Sequence, residues 1–366
     1  MAWFKTTTYN LALWSPMTLL PPPEEGEGIP IGEDVYRRKV YLNPSRLPNF
    51  HGIFLGPTGS GKSTTAESLL YDLVEMGINV VCIDPGEDYV EAVRELGGDV
   101  VDLAERPPDI FEWPGDPEVW LQEVSAAFRY SMGLGEEQVA ALAEALREEF
   151  EGSRSVDGLL ARLEGEALSD IYLGEAYVRL KGVLERLRRP GIGVGRLLSR
   201  GRPVDIVFGR GERRLGHEFE KLATLLLVSQ INEYRVVKGP VHRVDLVVVV
   251  DEAWRLLRMP GHERDLINSL RMMRKYGVAY WLVTQSAGDL PPEAYEQFGF
   301  TLALSGPRIH AMRLDLISRL SEEDVEWLTF SKRPGYGLLI RLGYPRPARI
   351  RVLVRDCVLR RRGVSS

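Results

Sequence analysis

Residues 52–64 read GIFLGPTGSGKST, a short apolar run that leads into a glycine-rich turn. The run at residues 52–55 is typical of a buried β-strand. The turn has the pattern GxxxxGKS over residues 56–63, and a helical pattern begins near Ser63. A strand, a glycine turn and a helix in this order are the context that a phosphate-binding loop requires. The stretch therefore predicts an α/β fold that binds a nucleotide.

Each residue type in the turn serves phosphate binding. Glycines allow successive backbone N–H groups to curl around a β-phosphate at a helix N-terminus. Lys62 supplies a positive charge to the β- and γ-phosphates, and Ser63 can bind Mg²⁺. A glycine-rich turn without a ligand is the alternative, but the full pattern is rare by chance. We expect nine consecutive residues to contact ATP: Gly56, Pro57, Thr58, Gly59, Ser60, Gly61, Lys62, Ser63 and Thr64.

Two adjacent carboxylates follow the apolar run in VDLVVVVDEAW, residues 244–254. Asp251 at a strand end can hold the Mg²⁺ shell together with Ser63, while Glu252 can polarise an attacking water. The second carboxylate separates hydrolases from kinases. The alternative is that the pair caps the following helix, which is reasonable for one residue but weak for both.

Another apolar run, VAYWLVTQS at residues 278–286, ends in Thr284 and Gln285. In a doubly wound sheet the carboxyl ends of adjacent strands meet at the ligand crevice. Gln285 is therefore predicted to sense the γ-phosphate or the attacking water.

Three cations precede this run in SLRMMRKYG, residues 269–277, namely Arg271, Arg274 and Lys275. They lie near the C-terminal end of a predicted helix, where positive charge also favours the helix dipole. Dipole and solvation roles are therefore one explanation. The other is that Arg274 or a neighbour reaches a phosphate across a subunit boundary as an arginine finger. Arg308 is a weaker candidate for the same role.

Two further charged groups have a structural and a functional explanation of equal weight. Asp84 and Glu87 follow an apolar run, and they either contact the site or form the turn PGED. The GRGERR loop either grips DNA from the pore of a ring or is a solvated surface loop. Its candidate residues are Arg210, Arg213 and Arg214. The histidines have no metal-ligand spacing, so no metal besides Mg²⁺ is predicted.

The composition is that of an ordinary globular protein, with 366 residues, 44% hydrophobic and 27% charged. The net charge of −6 excludes a protein that coats nucleic acid as a polycation, so any DNA contact must be local. Cys82 and Cys357 form neither a disulfide framework nor a zinc site. No apolar run approaches the ~20 residues of a membrane span. We expect a cytoplasmic protein.

The pattern of elements predicts one core with an insertion. Residues 1–33 are expected to form an extended arm. Apolar runs that alternate with helical patterns predict a mostly parallel sheet in residues 34–115 and 191–366. Residues 116–190 predict a helical insertion, more a lid than a separate functional domain. Residues 335–354 predict an antiparallel hairpin at a sheet edge, followed by a loose basic tail. Six buried strands are predicted at residues 52–55, 78–83, 204–208, 244–250, 278–283 and 300–304.

Five motifs, GPTGSGKST, IDPGEDY, VVVVDEAWRLL, RMMRKYG and LVTQS, occur in an order that resembles the HerA/FtsK superfamily of RecA-like motor ATPases. IPIG, LPN and DEAW are similar to stretches of the conjugative type IV secretion ATPases of the VirB/TraC class. The resemblance covers residues 29–355, although the helical insertion matches only in position. It implies a RecA-like P-loop NTPase core of the ASCE type, a hexameric ring, and ATP hydrolysis at subunit interfaces. It also implies the roles of six residues: Lys62 and Ser63 for phosphate and Mg²⁺, Asp251 and Glu252 as the second-site pair, Gln285 as the sensor, and Arg274 as the finger.

We therefore expect an ATP-hydrolysing homohexameric motor that powers DNA transfer through a conjugation or type IV secretion-like apparatus. The alternative enzyme is a freestanding DNA translocase for repair or packaging. A nucleotide-binding ring subunit without turnover is a third possibility, against which Glu252 and Gln285 argue. Expected partners are further copies of the chain, DNA contacted by pore loops, and a membrane-embedded transfer complex. Because few residues precede the core, we expect association with the inner face of the cell membrane to come from such partners.

Overall fold

The computed structural model describes residues 27–167, 171–209, 214–257, 263–308, 320–330 and 334–363, together with residues 211 and 314. Most of the predicted arm lies outside the described residues, as do Arg210 and Arg213 of the GRGERR loop.

The described residues build an eleven-stranded sheet. Its strands are β1 (Ile29–Asp34), β2 (Lys39–Leu42), β3 (Gly52–Leu55), β4 (Asn79–Asp84), β5 (Asp99–Asp102), β6 (Val204–Val207), β7 (Leu246–Val250), β8 (Val278–Thr284), β9 (Phe300–Leu304), β10 (Tyr336–Arg341) and β11 (Ala348–Val352). They lie in the order β2-β1-β11-β10-β9-β3-β8-β7-β4-β6-β5. In this spatial order, the seven strands β9-β3-β8-β7-β4-β6-β5 pair parallel. The strands β2-β1-β11-β10 pair antiparallel with one another, and β10 pairs antiparallel with β9. The predicted mostly parallel sheet is therefore confirmed.

Buried apolar residues explain why the central strands form. β3, β7, β8 and β9 are buried at every position, as expected for parallel strands that helices cover on both faces. All six strands predicted from apolar runs occur, with their ends shifted by at most two residues. An apolar run therefore sufficed to locate six of the seven strands of the parallel part, whereas β5, with Asp at both ends, was not predicted.

The antiparallel part of the sheet differs from the prediction in two ways. The last residues of the predicted arm form β1, in which Ile29 and Ile31 are buried. The C-terminal hairpin exists, but it is not at the sheet edge, because β11 pairs with β1 and β10 pairs with β9. The strand at the edge of the antiparallel part is β2. Alternating apolar and polar residues indicate a half-buried strand but do not identify its neighbour.

Helices cover both faces of the sheet. They are α1 (Lys62–Glu75), α2 (Val90–Glu95), α3 (Pro117–Met132), α4 (Glu136–Glu151), α5 (Val156–Glu166), α6 (Ile171–Leu187), α7 (Val194–Ser199), α8 (His217–Lys238), α9 (Trp254–Leu257), α10 (Glu263–Met273), α11 (Pro292–Tyr295), α12 (Glu322–Phe330) and α13 (Asp356–Arg361). One buried apolar cluster joins α1, α2 and α13 to one face. A second buried apolar cluster packs the helices α3 through α8, together with α10, against the opposite face of the sheet. The helices within residues 116–190 thus share the apolar core of the sheet.

The predicted loose tail is wrong for its first residues, because α13 extends to Arg361. Arg361 and Arg362 pair with Glu67 of α1 at 3.2 and 2.7 Å, and the Glu67 side chain is only 2% exposed. A buried carboxylate is costly without a cationic partner, so these pairs hold the end of the chain against α1. None of the described helices combines the length and apolar character needed to cross a membrane.

Candidate nucleotide-binding site

The carboxyl ends of four adjacent parallel strands bring the predicted site residues to one edge of the sheet. The four strands lie in the order β3-β8-β7-β4. The glycine turn of residues 56–63 follows β3, Gln285 follows β8, and the pair Asp251 and Glu252 follows β7. The fourth strand, β4, ends in Asp84. Parallel pairing places all four ends on the same side, which we call the carboxyl edge. Segments far apart in sequence thus meet around one crevice.

The glycine turn has the backbone that a phosphate cradle requires. Gly61 precedes α1 with φ of 100°, a left-handed conformation that strains residues with a side chain. The Lys62 ammonium is buried and donates to the Pro57 carbonyl at 3.2 Å, a bond that a phosphate oxygen can replace. Burial lowers the pKa of Lys62, whereas Asp251 and Glu252 favour its charged form. The cation therefore lies within the field of both carboxylates.

Asp251 is buried and held by a hydrogen bond to each carboxylate oxygen. Its Oδ1 accepts the backbone N–H of Glu252 at 2.7 Å, and its Oδ2 accepts the hydroxyl of Tyr89 at 3.0 Å. Burial raises the pKa of Asp251 to about 6, against the effect of the bond from Glu252. An orientation fixed in this way suits a carboxylate that must meet an ion at one position.

Glu252 faces the opening of the crevice. Its φ of 49° is left-handed, a conformation that costs a residue with a side chain about 1–3 kcal/mol and often marks a functional site. Its carboxylate accepts the indole N–H of Trp254, and it accepts the Gln285 amide at 3.3 Å. Glu252 is half-buried and Gln285 is exposed. The two residues therefore present polar groups where a water molecule can approach.

The two polar residues at the end of β8 have different environments. Thr284 is buried, and its hydroxyl donates to Asp289 at 2.5 Å, which stabilises the turn that follows the strand. Gln285, one residue later, turns towards Glu252. The residue that the sequence predicted as sensor is therefore the one placed beside the second-site pair.

For Asp84 the structure supports the turn explanation. Its carboxylate accepts the backbone N–H groups of Gly86 and Tyr89 at 3.1 and 2.9 Å. Burial raises the pKa of Asp84 to about 7, and the charge of nearby Asp251 adds to this effect. Glu87 lies in the same turn with φ of 59°.

Sequence reasoning missed Tyr89, the last residue of IDPGEDY. It is fully buried and links the turn after β4 to Asp251. The sequence feature that could have indicated this role is a tyrosine, an apolar ring with a polar hydroxyl, directly after a turn that follows a buried strand.

The predicted cations are not brought to this edge together. Arg274 lies in the turn before β8, and the seven residues of β8 separate it from Gln285 by roughly 20 Å. It is exposed and far from the glycine turn of its own chain. Arg308 follows β9 and is exposed near the carboxyl edge. Arg214 pairs with the buried Glu220 at 3.5 Å, so its guanidinium has a structural contact.

The residues present fit a magnesium nucleotide rather than a free metal ion. Among the described residues, no group of three or more metal-binding side chains occurs. Mg²⁺ in nucleotide sites usually uses one or two protein ligands, with phosphates and water completing its shell. Ser63 at the start of α1 and the carboxylate of Asp251 match that donor set.

Comparisons with known proteins agree with this geometry. Residues 29–168 match the family model described as the central domain of helicase HerA. The chain is also 24% identical over 286 residues to the DNA import protein CedB of Sulfolobus acidocaldarius. Residues 29–168 are therefore similar to a HerA central domain. The match to CedB covers 72% of the chain but 45% of CedB, so the chain spans about half the length of that relative.

Two solved structures share the fold of this chain. VirB4 of Thermoanaerobacter pseudethanolicus superposes with a TM-score of 0.77 at 21% identity, over 92% of this chain and 99% of that one. The plasmid coupling protein TrwB, solved with the ATP analogue ADPNP, gives a TM-score of 0.67 at 16% identity, over 90% and 91%. The RecA-like α/β fold expected from the sequence is therefore confirmed.

Proposed function

We propose that this chain binds and hydrolyses ATP with Mg²⁺ and works as a homohexameric motor that moves DNA through a transfer apparatus. The observation that carries the proposal is Glu252. A strained backbone directs it into the crevice beside the glycine turn, and Gln285 holds its carboxylate. A protein that only binds nucleotide needs neither residue.

The proposed mechanism follows from the positions of the side chains. Backbone N–H groups of residues 56–63 and the Lys62 ammonium bind the phosphates. Ser63 and Asp251 are the residues that would hold Mg²⁺, which would neutralise charge on the phosphates. Glu252 accepts a proton from the attacking water, and Gln285 orients that water and the carboxylate.

The proposed ring explains where Arg274 acts. Since it lies at the opposite edge of the sheet from its own Lys62, we assign it to the nucleotide of a neighbouring subunit. Head-to-tail packing of identical chains is the arrangement that brings opposite edges of two subunits together and can close into a ring. Within each chain we propose a core of residues 34–115 and 191–366 with residues 116–190 as an inserted lid.

DNA is the proposed cargo because the similar proteins CedB and TrwB are described as a DNA import protein and a plasmid coupling protein. Contact with DNA is assigned to pore loops, and the work at a cell membrane to a membrane-embedded transfer complex. A freestanding DNA translocase for repair or packaging has the same core chemistry. Recruitment by a membrane complex would favour transfer, whereas a nuclease that copurifies with the chain would favour repair.

The test is to measure ATPase rates with and without single- and double-stranded DNA, alongside mass in solution. We expect stimulation by DNA and a particle of six chains of 41.2 kDa each. A particle that binds ATP without turnover, with or without DNA, would instead identify a structural ring subunit.

A further inference from the structure

Tyr89, which follows β4, contacts the side chain of Asp251, which follows β7. The hydroxyl of Tyr89 donates to Asp251 Oδ2 at 3.0 Å, and the ring is fully buried. The other oxygen, Oδ1, is held by the Glu252 backbone at 2.7 Å. Each oxygen therefore has one fixed donor and keeps lone pairs for an ion or its water.

The position of Tyr89 is itself fixed by the turn after β4. Its backbone N–H donates to Asp84 Oδ2 at 2.9 Å. The preceding residue, Asp88, receives the guanidinium of Arg362 on its carboxylate at 2.8 Å and on its carbonyl at 3.1 Å. These contacts fix the backbone position from which the buried side chain of Tyr89 reaches Asp251.

We infer that Tyr89 is a positioning residue for the divalent cation of the bound nucleotide, acting by orienting the Asp251 carboxylate. This inference rests on the proposed function, in which Asp251 holds Mg²⁺. Groups that hydrogen-bond to a metal ligand restrict its orientation, and their removal typically weakens metal affinity by about 10–100-fold. Because the hydroxyl reaches the carboxylate and not the phosphate cradle, nucleotide affinity without metal does not depend on it.

The experiment measures binding of Mn²⁺, a paramagnetic substitute for Mg²⁺, to the ADP complex by electron paramagnetic resonance. No turnover is involved. The Tyr89→Phe variant retains the ring and loses only the hydroxyl, and we expect Mn²⁺ affinity to fall about tenfold. ADP affinity in the presence of a chelator should stay within twofold of wild type.

Tyr280→Phe is the matched control, because it also removes a buried hydroxyl, one that donates to Asn232 at 2.5 Å. Tyr280 lies near the start of β8, away from the carboxyl edge, and this variant should bind Mn²⁺ as wild type does. If Tyr89→Phe does not fold, Tyr89→Met, which also lacks the hydroxyl, replaces it.

Asp251→Asn separates failure of this inference from failure of the proposed function. Weak Mn²⁺ binding by Asp251→Asn with wild-type binding by Tyr89→Phe would overturn the role of Tyr89 alone. Wild-type binding by both variants would overturn the metal role of Asp251 and, with it, that of Tyr89. Weakening in Tyr280→Phe equal to that in Tyr89→Phe would also overturn the inference, since it would show a general effect of losing a buried hydroxyl.

Discussion

The two edges of the parallel sheet have opposite chemistry although the same strands form both. At the carboxyl edge lie the buried carboxylates Asp84 and Asp251, whose pKa values burial raises to about 7 and about 6. At the opposite edge, which we call the amino edge, the exposed residues include Arg274 and Lys275. β8 joins the two, with Arg274 before its first residue and Gln285 after its last.

The amino edge also contains a buried histidine that is held neutral. His51 Nδ1 accepts the backbone N–H of Tyr280 at 2.9 Å, so the ring proton lies on Nε2. Nε2 donates this proton to the carbonyl oxygen of Leu270, in the last turn of α10, at 2.9 Å. Burial lowers the pKa of His51 to about 4, and the charge of Arg274 adds to this effect. The difference between the edges teaches that burial shifts the pKa of both acidic and basic groups in the direction that favours the neutral form.

The largest expected effect is at the carboxyl edge. Glu252→Gln removes the proposed base and should slow ATP hydrolysis by about 100-fold or more, while ATP binding stays within a few fold. Single-turnover hydrolysis and nucleotide titration measure the two quantities. Lys62→Ala is the contrasting variant, which should lose nucleotide affinity. Unchanged turnover in Glu252→Gln would remove Glu252 as the base.

The next effect sharpens the comparison, because it requires both edges in one active site. Arg274→Ala should lower the rate of ATP turnover by about tenfold or more, since an arginine finger contributes at least this much to the turnover of other NTPases. Mixed with Glu252→Gln subunits, it should regain activity, because an intact base then meets an intact arginine from the neighbour. Lys275→Ala, at the adjacent exposed position, is the control. Mass measurement verifies that mixed rings have formed. If ATPase activity does not recover in these rings, Arg274 does not act across the subunit boundary.

A third prediction concerns His51. The unfolded chain takes up a proton near pH 6.5, whereas the folded chain does so only near pH 4. Stability is therefore full above pH 6.5 and falls as the pH drops towards 4, by about 3 kcal/mol. His51→Gln should remove this part of the pH dependence, as measured by denaturant unfolding between pH 4 and 7. If the unfolding free energies of wild type and His51→Gln change with pH in parallel, His51 does not titrate in this way.

A fourth prediction has the opposite sign and belongs to the carboxyl edge. The Asp84 carboxyl has a pKa of about 7 in the folded chain and 3.8 as the ordinary value, so the folded state retains the proton longer. Its contribution to stability is present below pH 3.8 and is lost as the pH rises through 7. Asp84→Asn should therefore gain stability relative to wild type as the pH increases. A constant difference between the two unfolding free energies would contradict the raised pKa.

Much of the fold was predictable because the parallel strands are buried on both faces. Such strands read as uninterrupted apolar runs, and the runs at residues 244–250 and 278–283 each became a strand. The antiparallel flank was not predictable to the same degree. β1 and the C-terminal hairpin lie at opposite ends of the sequence, and nothing in either stretch identifies the other as its neighbour.

The candidate site divides in the same way. Lys62, Asp251 and Glu252 belong to local patterns whose chemistry is readable from adjacent residues. Tyr89 was missed because its role depends on a hydrogen bond to a residue 162 positions away. Arg361 was predicted in a loose tail because its partner, Glu67, is buried in a distant helix.

The sequence by itself determined the glycine turn, the second-site pair, the buried strands and the resemblance to HerA/FtsK-type ATPases, since each depends on residues that are neighbours along the chain. Only the tertiary structure decided which edge each residue occupies, which groups have pKa values shifted by burial, and which side chains hold Asp251. Strand order and burial arise from hydrogen bonds and apolar packing between distant segments, so these properties exist only once the sheet has formed.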